Sequence, residues 1–172
     1  TFLKNFARQF AGRRLRLIIN EFGRAGVDGT LLRELDAALD EISNGSIFCA
    51  CRLDQFEAAL EQAAADAPDV VLVEASGLAD PTNVRRVLAQ FPAVSYQGSV
   101  CVADAARLEK VFSTARACPR QLAVSSLVLL NKTDLATEAQ CAEAKALILR
   151  ANPAARIRRT QLGRFEPEWL SL

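Results

Sequence analysis

A chain of 172 residues, 51% hydrophobic, with 21 Lys and Arg against 20 Asp and Glu, is long enough to bury one full core. Its balanced charge offers no attraction to nucleic acid or to an anionic membrane, and no apolar run approaches the roughly 20 residues of a membrane span. With no His and five scattered Cys, an odd number, the sequence excludes a disulfide framework and any His-built metal site, and a reducing cytoplasm is the expected home.

The first pattern, "FLKNFARQFA", sets Phe2, Leu3, Phe6 and Phe10 on one helical stripe. "RLRLII" (14–19) reads as a strand, and the glycine-rich "NEFGRAGVDGTLL" (20–32) as a loop carrying Glu21 and Asp28. "TLLRELDAALDEI" (30–42) is expected to be one helix, with Leu31, Leu32, Leu35, Leu39 and Ile42 on its apolar face. An Asn-Gly turn then precedes Cys49 and Cys51. "LDQFEAALEQAAA" (53–65) and "TEAQCAEAKALILRA" (137–151) are further helices. "VVLVE" (70–74), "SVCVA" (99–103), "SLVLL" (126–130) and, more weakly, "ARIRRT" (155–160) are strands. Near-continuous apolar strands alternating with amphipathic helices specify an α/β fold with a mainly parallel sheet, covered on both faces. Ligands of such sheets bind beyond the carboxyl ends of the strands, so the residues that follow each apolar run carry the chemistry.

Behind "SLVLL" stands "NKTDL". The Asp134 carboxylate is suited to accept two hydrogen bonds, from the ring N–H and the exocyclic amine of guanine. Adenine would leave it unpaired, and a site built on such bonds rejects the wrong partner strongly. Asn131 would bridge base edge and loops, with the Lys132 stem along the base plane. The alternative is a polar turn in which Asp134 caps the next helix. Behind "VVLV" stands "EASGLADP": Glu74 closes an apolar strand, where an acidic residue holds Mg²⁺ directly or through water. Gly77 lacks a Cβ and so admits a terminal phosphate close to its N–H. The alternative is an ordinary turn with Pro81 opening a helix. The 20–32 loop suits a segment that closes on Mg²⁺ and phosphate with Asp28, or a surface connection in which Asp28 caps a helix.

No G-x-x-x-x-G-K-[ST] phosphate loop occurs in the chain. In order and spacing, however, "TFLKNF", "NEFGRAGVD", "EASGLADP" and "NKTDL" resemble the CobW-type P-loop GTPases, the metallochaperone relatives of the urease and hydrogenase accessory GTPases. The resemblance implies a P-loop NTPase three-layer α/β fold with a mainly parallel central sheet. It makes residues 1–172 a GTPase domain without its N-terminal strand and phosphate loop and without the family's C-terminal domain. It aligns Thr1 with the second Thr of the family's G-K-T-T, beside the phosphates. It implies GTP and Mg²⁺ as ligands, with slow hydrolysis that switches partner interactions. Asn131, Lys132 and Asp134 would read guanine, Glu74 would hold Mg²⁺ and help order the attacking water, Gly77 would sense the γ-phosphate, and Asp28 would join from the loop. Metal delivery to a client metalloprotein, in the cytoplasm and with a homodimer as a further expectation, completes what the resemblance implies; neither nucleic acid nor membrane is an expected partner.

Two departures bear on metal. The family's N-G-C-x-C-C reads "NGSIFC" here, with Ser46 and Phe48 in place of two thiols, so Cys49 alone is retained as a transition-metal ligand. Arg24 stands where many members carry Glu. Zn²⁺ or Co²⁺ asks for about four ligands, and Cys49, Cys51 and Glu21 make a thin shell. The alternative places both cysteines in the core. These departures also support a rival reading, a non-hydrolysing interaction module that kept the GTPase fold and lost the metal-chaperone site.

Overall fold

The computed structural model describes residues 2–20, 29–42 and 53–170, which fall into two compact units. The first covers Leu3–Tyr96. Its sheet has the order β2-β1-β3, with β1 (Leu15–Asn20), β2 (Ala37–Ile42) and β3 (Val70–Glu74) all parallel. Helices α1 (Phe2–Ala7), α2 (Gly29–Leu35), α3 (Leu53–Asp66) and α4 (Val84–Leu88) accompany it. Every residue of β1 is buried, as a central strand covered on both faces must be. The pleat divides its side chains. Ile18 packs with Ile42, Phe56, Leu60 and Val87, whereas Leu15, Leu17 and Ile19 pack with Ala7 and Leu35.

The 30–42 segment departs from expectation. Only its first half is helical; Asp36 turns through φ 49 and the chain continues as β2. The helical spacing of Leu35, Leu39 and Ile42 is real in the sequence, but residues 37–42 pair along the whole of β1, Leu15 with Ala37 through Asn20 with Ile42. Six residues of parallel pairing outweigh local helix propensity. The strand is further pinned at Arg16, a buried guanidinium on β1 that donates to both Asp40 oxygens (2.6 and 2.9 Å) and to Asp66 at the end of α3.

The second unit groups residues 97–172 with Phe2. Its sheet is β4-β5-β6, again parallel: β4 (Val100–Asp104), β5 (Leu127–Asn131) and β6 (Arg156–Arg159). Helices α5 (Leu108–Thr114), α6 (Ala117–Val124) and α7 (Glu138–Ala151) supply Leu108, Cys118, Leu122, Cys141, Ala144 and Ile148 to a core against Val128 and Leu130 of β5. Cys101 packs against this core, where burial pushes its thiol up to about 12. Cys118 is also pushed up by burial. Both pack in this core as small apolar side chains. Among the described residues no helix is long and apolar enough to cross a membrane.

Candidate functional site

Asn131 is the last residue of β5, in register with Asp104, the last of β4. Its carbonyl accepts the Ala105 N–H (2.9 Å), and its side-chain Oδ1 accepts the Gly163 N–H (3.1 Å) from the loop after β6. Lys132 then takes a left-handed backbone, φ 59 and ψ 37, and its Nζ lies 2.8 Å from Asp104 Oδ2. Thr133 Oγ1 donates to the Thr160 carbonyl at 3.2 Å. The strand end and the 160–163 loop are thus one hydrogen-bonded platform.

Asp134 sits on a short 3₁₀ turn, exposed, and its carboxylate makes no hydrogen bond or ion pair with the described residues. It does not cap α7. That task falls to Thr137, whose hydroxyl accepts the Gln140 N–H while Gln140 Oε1 accepts the Thr137 N–H. The capping alternative for Asp134 is therefore removed, and the carboxylate remains available to an external donor. Close by in sequence on the same loops, Leu135 and Leu162 are 70% and 68% exposed, and Leu162 also holds a positive φ of 53.

Sequence reasoning did not single out Asp104. Burial by itself would raise its carboxyl, but the Lys132 hydrogen bond and charge, the Ala106 N–H and Arg107 together hold it below the usual value. The signal was present: a carboxylate closing an apolar strand, as at Glu74. Asp104 stands directly behind the expected strand 99–103, as Asn131 stands behind 126–130, but no local motif joins it to Lys132. Thr160 and Gly163 carried no comparable signal, because hydrogen bonds across the sheet end bring them to 131–133.

In the first unit, Glu74 closes β3 with its side chain exposed, yet enough protein surrounds it that burial raises its carboxyl above the ordinary value. A carboxylate under such pressure gains from a cation. Beyond it, Ala79 N–H bonds the Ser76 carbonyl (3.0 Å), and Asp80 accepts from the Thr82 N–H and hydroxyl to start a 3₁₀ turn at Pro81. Gly77 is exposed, and a Cβ built on it would meet nothing within 4 Å. Neither its backbone nor its neighbours require a glycine there.

Thr1, Asp28 and Cys49 lie outside the described residues, as do Glu21, Arg24, Ser46, Phe48 and Cys51. Among the described residues no three His, Cys, Asp or Glu side chains gather into a group able to hold a metal ion.

The profile of the CobW/HypB/UreG nucleotide-binding domain matches residues 1–159. The zinc chaperone CobW of Pseudomonas aeruginosa is 29% identical over 90% of this chain and 51% of its own length. The zinc chaperone YeiR of Escherichia coli is 30% identical over 70% of this chain and 38% of its own length. The chain thus spans about half or less of these relatives. Among solved structures, the Zn(II)-bound YjiA GTPase from E. coli superposes with a TM-score of 0.71 at 19% identity, covering 98% of this chain and 55% of that one. The hydrogenase maturation factor HypB from Archaeoglobus fulgidus gives 0.57 at 21% identity, covering 98% and 80%. The strand order within each sheet, the parallel pairing and these likenesses agree on the P-loop NTPase fold, and the chain belongs to the CobW/HypB/UreG nucleotide-binding domain family, the CobW-type P-loop GTPases.

Proposed function

We propose that this chain is the nucleotide-binding part of a protein that binds GTP with Mg²⁺, hydrolyses it slowly, and uses the cycle to deliver a metal to a client protein. The observation that carries the reading is Asp134: exposed, uncommitted among the described residues, and held behind β5 by a turn whose other members are already bonded. Its two oxygens suit the N–H and amine of guanine. Asn131, fixed by Gly163, braces the loop, and Lys132 offers its stem to the base.

The residues fit Mg²⁺ as well. Glu74 is a hard oxygen donor whose ionised form protein surroundings disfavour, so a bound cation would relieve it. Mg²⁺ would supply neutralisation of the phosphate charge during transfer. Glu74 then orients water at the strand end, and Gly77, three residues on, is exposed with open space where a side chain would stand. Thr1 and Asp28 take phosphate-side roles in this reading, on the strength of the family pattern alone.

The names of the relatives, zinc chaperones, support metal delivery as the task. The missing thiols at Ser46 and Phe48 favour a second reading for this member: a GTPase that no longer carries Zn²⁺ on Cys49 and acts as an interaction module. The test of the main reading is turnover by the full-length protein. Mg²⁺-dependent release of phosphate from GTP, with ATP untouched, is the expected result; equal turnover of ATP would overturn it.

A further inference from the structure

The pair Asp104–Lys132 has no evident structural purpose. The Lys132 side chain is 48% exposed and that of Asp104 24%, and an ion pair that solvent reaches adds little to folding stability. Yet the arrangement is built with care. Lys132 adopts a left-handed backbone that costs a non-glycine residue free energy, and its ammonium then lies 2.8 Å from Asp104 Oδ2. Asp104 is itself held: Oδ1 accepts the Ala106 N–H at 3.1 Å, and the adjoining Ala105 N–H bonds the Asn131 carbonyl. The carboxylate is thus fixed at one end of β4 and pins the tip of a four-carbon side chain rooted at the end of β5.

We propose that Asp104 is a positioning residue for the guanine site: it anchors Lys132 so that the lysine stem is presented to the base as a preformed platform. The inference rests on the guanine reading of Asn131, Lys132 and Asp134. A free lysine loses much of its rotamer freedom when a ligand packs on it, and that loss is subtracted from binding. An anchored lysine has lost it already on folding. Asp104 does not touch the base, so it governs how tightly any purine with the right edge binds. Asp134 governs which purine that is.

The test uses the full-length protein and calorimetric titration with GDP. Asp104→Asn is expected to weaken GDP about tenfold while leaving the preference for GTP over ATP unchanged, and Asp104→Glu, which keeps the charge, to recover most of the loss. Lys132→Met is expected to show the same weakening by itself, and Asp104→Asn added to it to cost nothing more. If the parent binds no GDP, the guanine reading fails and takes this proposal with it. Normal GDP affinity in Asp104→Asn overturns the proposal and leaves the guanine reading standing. A further loss in the Lys132→Met background also overturns it, because Asp104 would then act by another route. Should Asp104→Asn fail to fold, Lys132→Met decides alone: undiminished GDP affinity there overturns the anchored platform.

Discussion

The Gly163 N–H donates to Asn131 Oδ1 at 3.1 Å, fastening the loop after β6 to the residue that closes β5. Gly163 has φ 65, and a Cβ there would lie 3.0 Å from the backbone of Phe2. Together, the left-handed backbone and the close approach to Phe2 favour glycine. Gly163→Ala is expected to lower stability by about 1–3 kcal/mol through strain and overpacking. It should also weaken GDP binding, because the strained loop shifts the N–H that braces Asn131. Urea unfolding and GDP titration of the same variant check both; wild-type values in both would show that the loop is not part of the site.

Glu74 gives a prediction with a pH signature. Its carboxyl is raised above the ordinary value of 4.5 by burial, so the folded protein holds the proton more tightly than the unfolded chain. The stability it contributes is present in full below pH 4.5 and is lost as pH rises through the raised value. In Mg²⁺-free buffer Glu74→Gln should therefore melt above the parent at pH 7, and the two should converge below about pH 4. The same variant should turn over GTP at least about tenfold more slowly, a barrier rise of roughly 1.4 kcal/mol. A variant that melts lower at pH 7 would contradict the electrostatic account of Glu74.

The buried Arg16 predicts where the first unit is most easily broken. Asp40 supplies two of its hydrogen bonds and is the larger cause of its raised pKa. Asp40→Ala leaves a buried guanidinium with Asp66 as its remaining ion-pair partner among the described residues and is expected to cost about 2–4 kcal/mol. Asp66→Ala should cost less, since that carboxylate is about half exposed and Asp40 remains. Denaturant midpoints measure both; equal losses would mean that the pair on β2 is not the principal hold.

Much of this was legible in the sequence because apolar runs and strand ends are local signals. The expected strand 70–74 coincides with β3, and 14–19, 99–103 and 126–130 differ from β1, β4 and β5 by one residue at each end. Asp104 stands directly behind the expected strand 99–103, but only the register, which sets it opposite Asn131 and within reach of Lys132, ties it to the site. The strand β2 was not legible. Leu35, Leu39 and Ile42 satisfy a helical period, and only pairing with β1, a tertiary fact, makes residues 37–42 extended. The brief helices α4, α5 and α6 have too few turns to declare a period. Thr160 and Gly163 reach the site through hydrogen bonds between distant residues, which no spacing in the sequence encodes.

The cysteine run makes a prediction from ligand count. Purified, reduced full-length protein should bind Zn²⁺ or Co²⁺ no tighter than about micromolar, because a Ser hydroxyl and a Phe ring stand where the family pattern has thiols. Chelator competition measures this, with and without GTP. Ser46→Cys combined with Phe48→Cys should restore tight binding, and Cys49→Ser in that background should remove it. Nanomolar metal in the parent, abolished by Cys49→Ser, would show that Cys49 coordinates with partners outside this pattern.

The central claim is that Asp134 reads guanine. The most direct measurement is nucleotide competition on the full-length protein and on Asp134→Asn, with GTP, ATP and xanthosine triphosphate. The parent should prefer GTP to ATP by orders of magnitude. In Asp134→Asn, the side-chain amide presents a donor where the carboxylate accepted, so GTP should weaken and xanthosine triphosphate, with a carbonyl in place of the guanine amine, should become the preferred ligand. Equal competition by ATP and GTP in the parent, or an unchanged order of preference in Asp134→Asn, would contradict it.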